Sequence, residues 1–236
     1  MNTINTLDLH YLQQEILRKL AGSLGLKFNE LLIEGLESEH VNYHIKKLIE
    51  LSLVNKERDL YTLTDTGKGY VDTIDGLTLE VERQPKVTVL INGRRVKKDG
   101  EVEHLLNRRL KQPYFGQIGR IGGKVRFGET FEESAKRELF EETGLTAKNF
   151  TLEKIYHKLR HRTDGVFVQD SIFYIFFVTD FQGEFLDRVP FQENLWLCES
   201  NAAEYKKDFF NDMELDSRME PLPLEVIENI KLADGY

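Results

Sequence analysis

Glu138, Glu141 and Glu142 stand at i, i+3 and i+4 within Thr130 to Thr143, a stretch with few helix breakers. A helix there projects all three carboxylates from one face. Clustered anions repel one another, and a hard divalent cation relieves that cost; a set of oxygen-only ligands points to Mg²⁺ or Mn²⁺ rather than zinc. The competing reading is a solvated acidic helix face. Gly122 and Gly123, just ahead, suit a tight backbone turn into the loop before the helix. Around this centre, Arg109, Arg160 and Arg162 could grip phosphates bidentately. Tyr114, Phe115 and Trp196 could stack on a nucleobase. Core packing competes for the aromatics, and a solvated basic run competes for the Arg160 and Arg162 pair.

The elements that must position these groups follow from periodicity. Leu9, Leu12, Ile16 and Leu20 recur at helical spacing and Gly22 ends the pattern, predicting a helix over 8–21. A short helix over Phe28 to Ile33 follows. Ser38 is the expected N-cap of a third helix, 40–51, with Val41, Ile45, Leu48 and Ile49 on its apolar stripe. Leu53-Val54 and Tyr61-Thr62-Leu63 flank a turn-like Lys56 to Asp59 and predict a hairpin, then a helix over 66–74. Beyond a polar stretch ending at Pro85, Val87 to Ile91 and Glu101 to Leu110 read as strands. A Gly-rich turn, the acidic helix, further strands and a polar helical tail complete the chain. The expected division is a first domain over 1–78, a linker over 79–85 and a second domain over 86–236.

From Gly123 to Leu145 the residues GKVRFGETFEESAKRELFEETGL resemble the complete signature of the Nudix hydrolase family. Gly123, Glu129, Arg137, Glu138, Leu139, Glu141, Glu142, Gly144 and Leu145 occupy its fixed positions. The resemblance implies an α/β/α sandwich built on a mixed sheet and a Mg²⁺- or Mn²⁺-dependent hydrolysis of a nucleoside diphosphate linked to another group. It implies that Arg137 orients the acidic cluster and pairs with Glu129. Glu142 is the first candidate for the base, with Glu141 beside it; Glu193, ahead of Trp196, resembles a position that supplies an extra Glu in relatives. Ile121 stands where the family usually has Pro. The Pro common after the signature in ADP-ribose hydrolases is absent between Pro113 and Pro190, and the Tyr of many dinucleoside polyphosphate hydrolases is replaced by Arg160-His161-Arg162.

Helix, helix, helix, hairpin, helix is the order of a winged helix-turn-helix, and Leu51 to Lys56 with Leu63 to Tyr70 resembles the wing and exit helix of MarR-like regulators. The fold class expected is therefore α+β in two domains. Two functions follow: a hydrolase with an accessory winged helix, or a transcription regulator whose second domain senses a nucleotide-derived ligand. In the latter, Asn42, Tyr43, Lys46, Lys47, Lys56 and Arg58 would meet duplex DNA, with a homodimer as the candidate assembly.

The 236 residues, 40% hydrophobic and 31% charged, are enough for two packed cores and unlike a disordered chain. The longest strongly apolar run, Ile172 to Val178, is far below the roughly 18 residues a membrane helix needs, so no membrane partner is expected. Cys198 is the single cysteine, which excludes an internal disulfide framework and a multi-cysteine zinc site and makes a reducing cytoplasm the expected setting. The net charge is −8, of which residues 1–80 carry −5 from 8 Lys and Arg against 13 Asp and Glu. Neither domain is a basic module, which opposes tight DNA binding.

Overall fold

The computed structural model describes residues 9–76, 78, 82–210, 213 and 215–232. The chain divides into two compact units, residues 1–83 and 84–236. Of the expected linker, residues 79–81 lie outside the described residues, and 82–85 carry no regular structure. No helix among the described residues is long and apolar enough to cross a membrane.

The first unit runs α1 (Tyr11–Ala21), β1 (Leu26–Lys27), α2 (Phe28–Leu31), α3 (Ser38–Glu50), β2 (Val54–Glu57), β3 (Leu60–Leu63) and α4 (Asp65–Val71). Its three strands pair in the order β1-β3-β2. The apolar stripes meet in one core, where Ile16, Leu17, Leu20, Leu31, Val41, Ile45, Leu48 and Leu53 are buried with Tyr61 and Tyr70. Helix α1 starts later than its periodicity suggests because His10 caps it: the imidazole accepts the Leu12 N–H, and Gln13 reaches back to the His10 N–H. Helix α3 also departs from expectation at its start. Glu37 is its N-cap, with extended backbone, and Ser38 is already helical. The β2–β3 turn places Arg58 at φ 55°, a left-handed conformation that closes a two-residue hairpin.

The second unit contains β4 (Lys86–Val96), β5 (Val102–Arg109), β6 (Ile118–Lys124), α5 (Phe131–Thr143), β7 (Leu145–His161), β8 (Phe167–Gly183), β9 (Arg188–Val189), β10 (Gln192–Cys198), the one-turn α6 (Ala202–Tyr205) and β11 (Glu225–Leu232). These strands form one mixed sheet, ordered β11-β7-β8-β4-β6-β5-β10-β9, with β4 also pairing β5. The β4–β8 and β11–β7 pairs are parallel and the others antiparallel.

Helix α5 covers one face of this sheet. Its Ala135 and Leu139 are fully buried against Val89, Ile91, Ile121, Phe176 and Val178. Truncating a side chain as enclosed as Leu139 costs about 2–5 kcal/mol, so this contact fixes the helix against the strands. A polar helical tail was the expectation for the C-terminal stretch, and the structure differs. Glu225–Leu232 adds a parallel strand to β7, because the β-branched pattern Val226-Ile227 follows two prolines, Pro221 and Pro223, and meets an open sheet edge. The layer on the second face is correspondingly thin: Tyr205 of α6 and then Phe209, Met213 and Leu215 pack over Leu106, Ile118 and Leu197.

Candidate active site

Strand β6 delivers the chain to α5 through Val125 to Thr130. Thr130 starts the helix with a reciprocal cap: its hydroxyl accepts the Glu133 N–H at 3.2 Å, and the Glu133 carboxylate accepts the Thr130 N–H at 2.8 Å. The helix ends at Gly144, whose φ of 72° turns the chain into β7 while its N–H bonds the Phe140 carbonyl. Between these stops Glu138, Glu141 and Glu142 line the helix face beside β6.

Each carboxylate has a different environment. Glu138 is buried directly against Gly123, where a Cβ would come within 2.4 Å of its carboxylate. Glu142 is half-buried, and its Oε2 accepts the Gly122 N–H at 3.2 Å. Gly122 has φ 152°, and a Cβ there would lie 2.1 Å from the Val89 carbonyl oxygen. The missing side chain at Gly123 lets β6 pass this close to Glu138, and the one at Gly122 lets β6 pack against the β4 backbone. Burial and the neighbouring Glu138 charge push the Glu142 carboxyl up to about 7, against the opposing pull of the Gly122 N–H and the Gln192 amide. Glu141 is the exposed member, held by Arg126 and Arg137.

Arg137 organises the cluster. It grips Glu129 with Nε to Oε1 at 2.6 Å and Nη2 to Oε2 at 2.8 Å, and its Nη1 donates to Glu138 at 2.5 Å and Glu141 at 3.1 Å. Nη2 also donates to the Lys124 carbonyl and the Ser134 hydroxyl. That bidentate grip holds the Glu129 carboxyl down to about 2, and the same carboxylates raise the Arg137 pKa above its usual value. Glu129 closes the loop by accepting the Arg126 N–H at 3.1 Å.

Strand β10 supplies a polar row that sequence reasoning missed. Gln192 and Asn194 face the helix: the Asn194 amide donates to the Glu142 carbonyl at 2.6 Å and the Leu186 carbonyl at 2.8 Å, and the Gln192 amide bonds Asn194 and Asn107. Strand alternation then turns Glu193 to the other side, where it pairs with Arg188 at 3.3 Å. Glu193 thus stands on the strand face opposite Gln192 and Asn194, whose side chains meet the end of α5. The alternation of Gln192, Asn194 and Trp196 around it was the available signal.

Trp196 also differs from expectation. Its ring lies under Arg95, 3.9 Å from guanidinium to centroid, edge-on to Phe181 at 5.2 Å, and belongs to the core beneath α5. Tyr114 meets Arg160 over its ring at 5.1 Å and Phe210 edge-on at 5.5 Å. Arg160 is buried, whereas Arg162 pairs with Asp164 at the β7–β8 turn, so the two arginines do not form one solvated run. Phe115 is exposed. Arg109 spends its Nε on the Lys111 and Pro113 carbonyls, at 3.1 and 2.6 Å, and so folds its own loop. The charges of Arg109 and Lys111 both bear on Glu142.

The donor chemistry of Glu138, Glu141 and Glu142 suits a hard divalent cation: three carboxylates, one of them raised to about 7 by burial and by the charge of another. Among the described residues no three acidic, histidine or cysteine side chains converge as a ready metal cage. Glu141 is turned to its arginines and Glu142 to Gly122, so convergence requires side-chain rotation.

The profile of the NUDIX domain matches residues 82–215, more than half of the chain. The chain belongs to the Nudix family. This Nudix chain is 52% identical over 42 residues to the oxidized purine nucleoside triphosphate hydrolase of Mus musculus, a match covering 18% of the chain and 26% of the mouse protein. It thus spans about a quarter of the length of that curated relative. Among solved structures, the mutator MutT protein from Bacillus halodurans is 28% identical with a TM-score of 0.42, covering 50% of this chain and 72% of that one. The Nudix domain of Shewanella oneidensis NrtR, complexed with ADP ribose, is 16% identical with a TM-score of 0.46, covering 60% and 88%.

Proposed function

We propose that the Nudix unit hydrolyses a phosphoanhydride bond in a nucleoside diphosphate linked to another group, with Glu138, Glu141 and Glu142 as ligands of Mg²⁺ or Mn²⁺. The observation that carries this reading is the placement of Glu138 and Glu142 directly against the side-chain-free backbone of Gly123 and Gly122, with Arg137 bridging Glu129, Glu138 and Glu141. The divalent cation, when bound, supplies charge neutralisation for the bridging phosphates and a more acidic water. The chain's own residues do the rest. Glu142, drawn up to about 7, is a proton acceptor matched to neutral pH. The Gly122 N–H and Gln192 amide orient it, and Asn194 ties the end of α5 to β10, which holds that orientation. Arg137 and Glu129 serve as positioning residues by fixing Glu138 and the loop before the helix. Arg109 and Lys111 add positive potential where the phosphate chain would lie.

Similarity to the oxidized purine nucleoside triphosphate hydrolase of Mus musculus over 42 residues supports a nucleotide-derived substrate. Tyr114 and Phe115 on the β5–β6 loop are the remaining stacking candidates. Screening the full chain against nucleoside triphosphates, sugar nucleotides and ADP-ribose with Mg²⁺, alongside Glu142→Gln, tests the proposal; no turnover of any of them by the wild type rejects it.

A second reading has its own observation. The first unit places α3 before the β2–β3 hairpin with β1 pairing on β3, the arrangement expected of a winged helix-turn-helix. We propose duplex DNA as the ligand of this unit, as a homodimer. Tyr43 and Lys46 are exposed on α3, and Arg58 stands at the hairpin tip. Lys47 is paired with Glu50 and Lys56 lies over the Tyr61 ring, so these two contribute less than their charges suggest. Anisotropy titrations of the full chain against genomic fragments at low salt test it.

A further inference from the structure

We propose that Arg126 is a displaceable counter-ion: it holds Glu141 in the metal-free protein, yields that carboxylate to the divalent cation, and then grips a substrate phosphate. This rests on the metal-dependent reading of Glu138, Glu141 and Glu142 above.

The geometry of Arg126 separates a fixed backbone from a free side chain. Its backbone is pinned in a turn, with its N–H donating to the Glu129 carboxylate at 3.1 Å and its carbonyl accepting the Glu129 N–H at 3.1 Å. Glu129 is in turn locked by Arg137 at 2.6 and 2.8 Å. The side chain has no such anchorage. It is 59% exposed, and among the described residues only Nη2 is engaged, donating to both Glu141 oxygens at 3.2 and 3.0 Å. Glu141 is itself 45% exposed, the most accessible carboxylate of the cluster, and retains Arg137 at 3.1 Å as a second partner.

An exposed ion pair of this kind biases an equilibrium by only roughly 1.5- to 5-fold. A divalent cation brings twice the charge and two further carboxylates, Glu138 and Glu142, so it outcompetes the guanidinium for Glu141. The displaced side chain cannot leave the site, because its Cα stays fixed by the Glu129 turn. Its guanidinium is then left beside a filled metal site with a planar fork of donors, the group best matched to a phosphate.

This exchange makes two effects of opposite sign. Removing Arg126 should tighten metal binding, by losing a competitor and a neighbouring positive charge, and should weaken binding of a phosphate chain to the metal-loaded site. The full-length protein and Arg126→Ala would be titrated with Mn²⁺ alone, by calorimetry or by the free-Mn²⁺ resonance signal, and then with ADP at saturating Mn²⁺. The expected result is a Mn²⁺ dissociation constant about 3- to 10-fold lower in the variant and an ADP dissociation constant about 5- to 10-fold higher.

Lys136→Ala removes one positive charge from the helix that carries Glu141, at a residue paired with Glu132 rather than Glu141, and it should change neither constant by more than twofold. An equal tightening of Mn²⁺ by Lys136→Ala would make the effect one of general charge and overturn the proposal. Unchanged or weaker Mn²⁺ binding in Arg126→Ala would also overturn it, as would unchanged ADP binding. Absence of saturable Mn²⁺ binding in both proteins would instead overturn the metal reading itself, and the proposal with it.

Discussion

Gly123 lies so close to Glu138 that any β-carbon at position 123 would sit 2.4 Å from the Glu138 carboxylate. The two residues belong to different elements, β6 and α5, and their approach sets the depth at which the helix presents its acidic face. Gly123→Ala should therefore displace Glu138 by about an ångström while leaving the sheet intact, and a misplacement of that size can cost about 100-fold in rate. Turnover of an identified substrate should fall by about that factor with circular dichroism unchanged. Full activity in Gly123→Ala would mean that Glu138 does not need this position.

Glu141→Gln and Glu142→Gln each preserve shape and remove a charge. Turnover should drop by about 10²- to 10⁴-fold in Glu142→Gln, which removes both a ligand and the proton acceptor, and by less in the exposed Glu141→Gln. Steady-state kinetics with Mg²⁺ checks the order. Equal rates in wild type and both variants would remove these carboxylates from the chemistry.

The metal-free protein should lose stability between about pH 4.5 and pH 7 through Glu142. Its folded carboxyl sits at about 7 against an ordinary 4.5, so the folded state holds the proton more tightly than the unfolded chain. That contribution is full below 4.5 and is lost as pH rises through 7. Glu129 has the opposite sign: held down to about 2, it stabilises above 4.5 and loses that contribution as pH falls towards 2. Thermal melts across pH 4 to 8 should show a decline that Glu142→Gln abolishes and that Mg²⁺ reverses near neutrality. Parallel curves for wild type and variant would contradict the assignment.

Arg137→Lys keeps the charge but cannot span both Glu129 oxygens while also reaching the Lys124 carbonyl. Activity should fall by about 10- to 100-fold through loss of positioning, with kcat affected more than KM. Glu129→Gln should produce a similar loss, and the double variant should be far from additive because the two residues act as one unit. Additive losses would separate them.

If the first unit binds duplex DNA, Lys46→Ala combined with Arg58→Ala should weaken it more than Lys47→Ala with Lys56→Ala, since the latter pair is already engaged with Glu50 and Tyr61. The salt dependence should flatten by about one unit of slope per phosphate contact removed. Anisotropy at several salt concentrations measures both. No binding at low salt would leave the unit as an accessory module.

The acidic helix and its glycines were legible in the sequence because their geometry is local. A helical period places Glu138, Glu141 and Glu142 on one face whatever surrounds them, and Thr130 and Gly144 mark its ends by their own backbone chemistry. The helices and hairpin of the first unit were legible for the same reason, whereas the short β1, the glycine-containing β6 and the closing strand β11 were not. Nor was the start of α3: Ser38 has the chemistry of a cap, but the boundary falls one residue earlier, at Glu37, without a side-chain cap. What only the folded chain decided is which distant residues reach that helix. Strand phase is set by pairing, and the register Gln192↔Arg109 through Trp196↔Leu105 turned Gln192 and Asn194 towards Glu142, turned Glu193 away, and set Trp196 under Arg95. The free edge of β7 likewise drew Glu225–Leu232 into a strand where its polar pattern suggested a helix. Long-range pairing leaves no mark on local spacing, so the carboxylates could be read along the chain while their neighbours had to be read across the sheet.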